Sequence, residues 1–367
     1  MIRRTVLLKL SGVALAGAAL LAMGGCDSSK SSGGSPNEVS FSILSTENSQ
    51  NQQELWAPFL ADMEKQTGLK IKPFFSSNYT SLIEAMRFNQ VQVGWFSNQS
   101  GLEASRRAQA EVFARSSDPS GVDGYTSIII AGAKSPVTLD KILACDKTLS
   151  FGIGDTKSTS GTLAPMTYLF APRGIDPQTC FRVVRSANHQ SNLFSVANGV
   201  LDVATNNSTA LNLARQNTPK VGSAVKVLWE SPRLPEDPIM WRKDLDPAVK
   251  EKIRSFFLTY GTAPGAEGER QRANLKQLSF GVFKASDNYH LLPVREMEAT
   301  EMLLQARAEK NAADEAKWKA ELAKIQQEKL SHGGSALSLT SAVDIQPQDR
   351  IPAPSAAAAP AAPTAPQ

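Results

Sequence analysis

Histidine and cysteine are scarce in this chain, three of each among 367 residues. His189, His290 and His332 stand alone, without the spacing of a metal-ligand set. A strong charge of one sign is also lacking. The formal net charge is +4, and charged residues make up 20% of the chain. No basic run interleaved with aromatics occurs, so nucleic acid is not an expected partner. No Gly-x-Ser-x-Gly elbow is present, which removes a common signature of a serine hydrolase on an α/β sheet. The apolar stretch Leu10–Met23 is too short to serve as a membrane span. What remains, 41% hydrophobic, suits a globular chain with room for two lobes.

The first residues read as an address. Arg3, Arg4 and Lys9 precede the apolar stretch, which ends in Ala22-Met23-Gly24-Gly25-Cys26. Residues 1–25 are therefore expected to be an export signal. Their end resembles a bacterial lipoprotein box, which implies lipidation of Cys26 and a lipid-anchored protein in the periplasm. Arg3-Arg4 also resembles a twin-arginine export signal, so the export route stays open. Residues 26–37, polar and rich in Ser and Gly, are expected to form a tether. Removing the signal leaves a net charge of about +1. If Cys26 carries lipid, Cys145 and Cys180 are the remaining pair in an oxidising compartment. Each lies just before an expected strand. A disulfide and two buried thiols are the alternatives.

Strand-like and helix-like segments alternate along the body. Ser40–Leu44, Leu69–Phe75 and Val91–Phe96 read as strands, with helices over Gln50–Gln66 and Thr80–Asn89. A second set follows, with strands at Leu149–Ile153, Phe181–Ser186, Leu201–Thr205 and Val225–Trp229. Helices are expected between them at Ser160–Phe170, Asn192–Asn198 and Ser208–Gln216. This alternation predicts mostly parallel sheets covered on both faces. Ligands of such sheets sit beyond the carboxyl ends of the strands. Ser158–Ser160, Asn188-His189 and Asn206-Asn207 all fall at such ends. The apolar runs Tyr125–Ala131 and Val225–Trp229 flank the second set and are expected to be the crossings between lobes. The fold class is therefore α/β, with two lobes joined by a two-strand hinge, as in periplasmic binding proteins of type II. Lobe one is expected over 38–132 and 229–293, and lobe two over 133–228.

Asp155-Thr156-Lys157-Ser158-Thr159-Ser160-Gly161 carries the chemistry. Small hydroxylated residues between a strand and a helix start make an anion site, because the first N–H groups of a helix lack partners and its dipole favours negative charge. An ordinary N-cap with loop neighbours is the alternative.

A wider pattern surrounds it: Ser45-Thr46-Glu47, Trp56-Ala57-Pro58-Phe59-Leu60, Ala85-Met86-Arg87-Phe88-Asn89, Asp202-Val203-Ala204-Thr205, Trp229-Glu230-Ser231-Pro232 and Asp237-Pro238. From about Glu38 to Pro293 the chain resembles the phosphonate-binding component of ABC importers. The resemblance implies a binding protein without cofactor or metal. It would capture a small phosphonate or phosphite and pass it to an inner-membrane permease. It implies an oxyanion grip of Ser158, Thr159, Ser160 and His189, with Tyr79 and Asp237 reaching in from the other lobe. An Asp beside an anion suits a ligand that keeps a P–OH, since a carboxylate accepts that hydrogen. His189 and Asp237 could instead be a loop histidine and a turn cap.

Two positions depart from the family pattern. The tyrosine of its Trp-Tyr-Gly-Asn segment is Phe96 here, and an acidic position aligns with Thr209. Phe96 and Thr209 are thus candidate selectivity positions, and a smaller or neutral ligand tail is expected unless Glu47 or Glu236 replaces the missing charge.

Two other functions share features of this pattern. A Ser160/His189/Asp237 hydrolase would need the Asp to orient the His, and the layout puts that Asp in the other lobe. A receptor presenting a phosphonate or phosphate to an envelope sensor would share the site and differ in partner. Val294–Leu330, without Pro or Gly, predicts one long helix with a thin apolar stripe of Leu304, Trp318, Leu322 and Ile325. That stripe predicts docking onto another subunit, as in a homodimer through this helix, or onto another protein. Residues 331–367, rich in Ser, Ala and Pro, are expected to be disordered.

Overall fold

The structure is a computed structural model that describes residues 37–332. The expected export signal, Cys26, most of the tether and the tail from 333 lie outside the described residues.

The chain starts with β1 (Glu38–Ile43), α1 (Ser49–Thr67), β2 (Lys70–Phe75), α2 (Tyr79–Arg87), β3 (Val93–Trp95), α3 (Asn98–Arg107) and β4 (Ala110–Arg115). It crosses over and builds β5 (Ser127–Gly132), α4 (Leu139–Leu143) and β6 (Ser150–Ile153). Wide helical turns at Thr159–Leu163 and Met166–Phe170 come next. They lead to α5 (Pro177–Cys180), β7 (Val183–Ser186), α6 (His189–Ala197), β8 (Val203–Asn207), α7 (Ser208–Asn217), α8 (Pro219–Gly222) and β9 (Val225–Glu230). The chain then returns through β10 (Pro238–Arg242), α9 (Pro247–Thr259), α10 (Gly265–Gln277) and β11 (Lys284–Ala285), and ends in α11 (Leu292–Ala308) and α12 (Ala312–Ser331).

Two sheets result, ordered β11-β4-β10-β3-β1-β2 and β7-β6-β8-β5-β9. Both are mixed rather than mostly parallel. In each, the strand that arrives from the other lobe, β10 or β5, runs antiparallel to its neighbours. The geometry requires this. Apart from the short edge strand β11, which is also antiparallel to β4, the other strands aim their carboxyl ends at the cleft, so a chain entering from the cleft must run the opposite way.

The two apolar runs expected to cross lie largely inside the second sheet, and the crossing comes just beyond them. There Tyr125 and Leu234 exchange backbone bonds of 3.1 and 2.7 Å. Gly124, at φ +91°, abuts this pair, and a Cβ on it would stand 2.5 Å from the Leu234 carbonyl oxygen. Lobe one holds the larger core, in which Phe59 is ringed by Phe256, Phe257, Tyr260 and Phe283. Lobe two packs Phe151, Phe170 and Phe181 behind its sheet, next to a disulfide between Cys145 and Cys180.

The single long C-terminal helix is corrected to a hairpin. Lys310 takes a left-handed turn at φ 55°, and Asn311 caps α12 by accepting from the Asp314 N–H. The helices pack together, with Ile325 fully buried and Trp318 and Leu322 against the Leu292–Ala299 face. Arg295 bonds Glu321 and Glu328 at 2.7 and 2.6 Å, and Lys329 pairs with Glu296. The thin stripe thus finds its partner within the chain, which removes the reason for expecting a homodimer through it. α11 also bridges the lobes, since Glu298 holds Arg106 and Gln99 while the Met297 carbonyl accepts from Thr167.

Candidate functional site

The loop after β6 is held by two glycines in contact. The Gly154 N–H donates to the Gly161 carbonyl at 3.0 Å, and a Cβ on Gly154 would meet Gly161 Cα at 2.5 Å. Thr205 on β8 clamps the same pair, bonding both Gly154 N and Gly161 O. Ser158 is the N-cap of the following helix, its Oγ accepting from Gly161 N at 3.0 Å. The Thr159 and Ser160 N–H groups then start that helix without intrahelical acceptors.

A buried cavity of about 60 Å³ lies against this start. Lobe two contributes Ser158, Ser160, His189, Asn207 and Thr209, and lobe one contributes Tyr79, Trp95, Glu236 and Asp237. Tyr125, at the hinge, and Glu47, Thr46, Ser97 and Ser116 add to the polar wall. Ser160 Oγ is 3.5 Å from His189 Nε2 and accepts from Asn207 Nδ2 at 3.2 Å. Across the cavity, Asp237 accepts from Trp95 Nε1 at 3.2 Å and from the Tyr125 hydroxyl at 3.3 Å.

Five helices begin at this cavity: α2 at Tyr79, α3 after Ser97, the wide-turn helix after Ser158, α6 at His189 and α7 after Asn207. Among the described residues, no Lys or Arg lines it. Its positive potential comes from helix starts, hydroxyls and an amide, whereas its full negative charges could come only from Glu47, Glu236 and Asp237.

Burial sets the protonation states. It lowers the His189 imidazole to about 4, so the ring is neutral at pH 7, and Nδ1 has no partner among the described residues. Burial pushes the Asp237 carboxyl well above the usual carboxylate range, and the nearby Glu236 charge adds to this. The Trp95 and Tyr125 donors pull the other way. Glu236 is raised by burial, partly offset by the Ser116 hydroxyl at 3.1 Å, and Glu47 is raised by burial against an opposing bond from Asn51. Burial also raises the Tyr79 and Tyr125 phenols.

The lobes are closed over the cavity by direct bonds. Asp155 Oδ2 accepts from Tyr79 N at 3.1 Å, the Lys157 carbonyl from Ser97 Oγ at 2.9 Å, and Thr159 Oγ1 from Gln99 N at 2.9 Å.

The family model for the periplasmic substrate-binding protein of phosphonate ABC transporters matches residues 41–291. The chain belongs to this family. It is 42% identical over 260 residues to the phosphonates-binding periplasmic protein of Escherichia coli K12, covering 71% of this chain and 75% of that one. A binding protein component of an ABC phosphonate transporter from Pseudomonas aeruginosa superposes with a TM-score of 0.76 at 38% identity. That match covers 81% of this chain and 99% of the other. A Prochlorococcus marinus protein solved with methylphosphonate shares the fold, with a TM-score of 0.62 at 17% identity, covering 72% of this chain and 97% of that one. The two-lobed fold is that of type II periplasmic binding proteins. Among the described residues no helix is long and apolar enough to cross a membrane.

Of the residues singled out from the sequence, Tyr79, Ser158, Ser160, His189, Thr209 and Asp237 line one cavity. Thr159 does not; its hydroxyl is spent on Gln99 between the lobes. Phe96 is corrected. It is fully buried in the lobe-one core and absent from the cavity wall, because neighbours along a strand point to opposite sides and Trp95 takes the inward one. Trp95 and Tyr125 line the cavity without having been expected there, whereas Glu236 and Asn207 lie where the sequence pointed, as a possible replacement charge and as part of a strand-end pair. Tyr125 looked like the first residue of an apolar crossing.

Proposed function

We propose that this chain captures a small aminoalkylphosphonate between its lobes and delivers it to the permease of an ABC importer. The observation that carries this reading is the split of charge in one cavity. Helix starts, Ser158, Ser160, His189 and Asn207 offer donors on one side, three carboxyls stand elsewhere in the wall, and no lining residue brings a cationic side chain. A bare anion leaves those carboxyls buried without a counter-charge. A zwitterion satisfies both sides. Its phosphonate oxygens take the hydroxyls and the Thr159 and Ser160 N–H groups at the helix start, and its ammonium favours the carboxylate forms of Asp237 and Glu236. The neutral tail expected from Thr209 gives way here, because Glu47 and Glu236 supply the acid missing at 209.

His189, neutral at pH 7 in the ligand-free protein, donates one hydrogen to a phosphonate oxygen. Catalysis is not part of the reading, since Asp237 bonds Trp95 and Tyr125 and, among the described residues, no carboxylate orients His189. Cys26 is the proposed lipid anchor, holding the protein at the membrane where the permease sits.

Competition titration of the purified protein tests the ligand class. 2-Aminoethylphosphonate is expected to bind at least tenfold more tightly than methylphosphonate or phosphite, a difference of about 1.4 kcal/mol. Equal or weaker binding contradicts it. Loss of uptake on deleting the gene supports delivery to a permease; unchanged uptake with a lost transcriptional response would point to a sensor partner.

A further inference from the structure

A second pocket lies beside the ligand cavity. Its volume is about 330 Å³, against about 60 Å³ for the first. The two share Glu47, Ala210 and Leu213 in their walls. The larger one lies between the first turns of α1, with Glu54 and Leu55, and lobe-two helices α6 and α7, with Leu193 and Phe194. A pocket of some hundreds of cubic ångströms is in the range of small-molecule sites, whereas the inner cavity has space for a head group and a short chain.

We propose that this compartment is a subsite for the substituent of longer phosphonates, those with a chain of about four carbons or more that ends in a cation. The inference rests on the phosphonate reading of the inner cavity. The tail leaves past Glu47, lies along Leu55, Leu193 and Leu213, and ends near Glu54. The lining chemistry selects this class. Aliphatic and aromatic side chains suit methylene groups, and both charged residues in the wall, Glu47 and Glu54, are acidic. A carboxylate-ended tail meets like charge there and is rejected.

The compartment is also built by lobe closure. Gln190, in its wall, accepts from Asn48 N and Nδ2 at 2.9 Å each, and the Gln190 N–H donates to the Thr46 carbonyl at 3.2 Å. A tail lying there touches both lobes, so it favours the same closed state as the head group.

Calorimetric titration with methylphosphonate, 2-aminoethylphosphonate, 4-aminobutylphosphonate and 4-phosphonobutyrate tests this. The aminobutyl ligand is expected to bind the wild type within tenfold of the aminoethyl ligand and at least tenfold more tightly than phosphonobutyrate. Glu54→Lys is expected to weaken the aminobutyl ligand at least fivefold more than it weakens methylphosphonate. A wild type that binds the aminoethyl ligand but holds the aminobutyl ligand no better than phosphonobutyrate overturns the subsite. So does a Glu54→Lys effect equal for both ligands. If none of the four binds, the underlying reading fails and the subsite with it; binding of 2-aminoethylphosphonate separates the two failures.

Discussion

Asp237 is held between two donors, with Trp95 Nε1 at 3.2 Å from its Oδ2 and the Tyr125 hydroxyl at 3.3 Å from its Oδ1. Trp95 stands on β3 of lobe one and Tyr125 begins the crossing into lobe two, so the carboxyl sits where hinge and cavity wall meet. Burial raises this carboxyl well above the usual range. A ligand ammonium lowers it again. Between the bound and free values, binding therefore expels a proton, and affinity climbs with pH by up to about tenfold per unit. Titrations of 2-aminoethylphosphonate in buffers of different ionisation enthalpy are expected to show proton release. Proton uptake, or affinity that falls as pH rises toward neutrality, would instead mean that Asp237 shares a P–OH hydrogen.

Ser160 and Phe96 separate a contact in the wall from a residue behind it. Ser160→Ala is expected to weaken phosphonate binding by about 1.5 kcal/mol, the scale of a hydrogen bond to a charged group. Phe96→Tyr is expected to leave the ratio of aminoethyl to methyl affinity within twofold, because its ring lies in the lobe-one core. A large change of preference in Phe96→Tyr would put that side chain back in the wall.

His189 makes stability depend on pH. Its folded-state value is lowered to about 4 by burial, against about 6.5 unfolded. The unfolded chain thus binds a proton that the native one refuses as pH falls through this window. Stability attributable to His189 is full above about 6.5 and decreases by about 3 kcal/mol on reaching pH 4. Asp237 works with the opposite sign, since its raised value costs stability as pH rises. Chemical denaturation of the ligand-free protein at pH 7 and pH 4.5, compared with His189→Gln, isolates the first effect. An equal slope in both proteins would rule it out.

The Cys145–Cys180 bridge spans 35 residues and brackets β6 and the Ser158–Ser160 loop. Closing a loop of that length restricts the unfolded chain by about 3–4 kcal/mol. Cys145→Ser with Cys180→Ser is expected to lower unfolding stability by that amount. A difference under about 1 kcal/mol would show that the bridge adds little.

Much of the architecture was legible because it is written in local patterns. Asn48, Asn78, Asn188 and Asn207 each cap a helix, and the strands between them are short and apolar. Ser158–Ser160 and His189 could be read for the same reason, each lying at a helix start. What was not legible depends on direction and distance. Which of Trp95 and Phe96 faces the cavity is set by register in β3. That Glu236 and Glu47 share a wall with Asp237 depends on lobe closure, which no local pattern encodes. The hairpin at Lys310-Asn311 carried only a cap signal, without the Gly or Pro that usually marks a break.

The most direct test is a crystal structure of the protein with 2-aminoethylphosphonate. The expected complex keeps the lobes closed, with phosphonate oxygens within hydrogen-bond distance of Ser160 Oγ and His189 Nε2 and the ammonium against Asp237 and Glu236. A ligand in the reverse orientation, or one bound outside this cavity, would contradict the account.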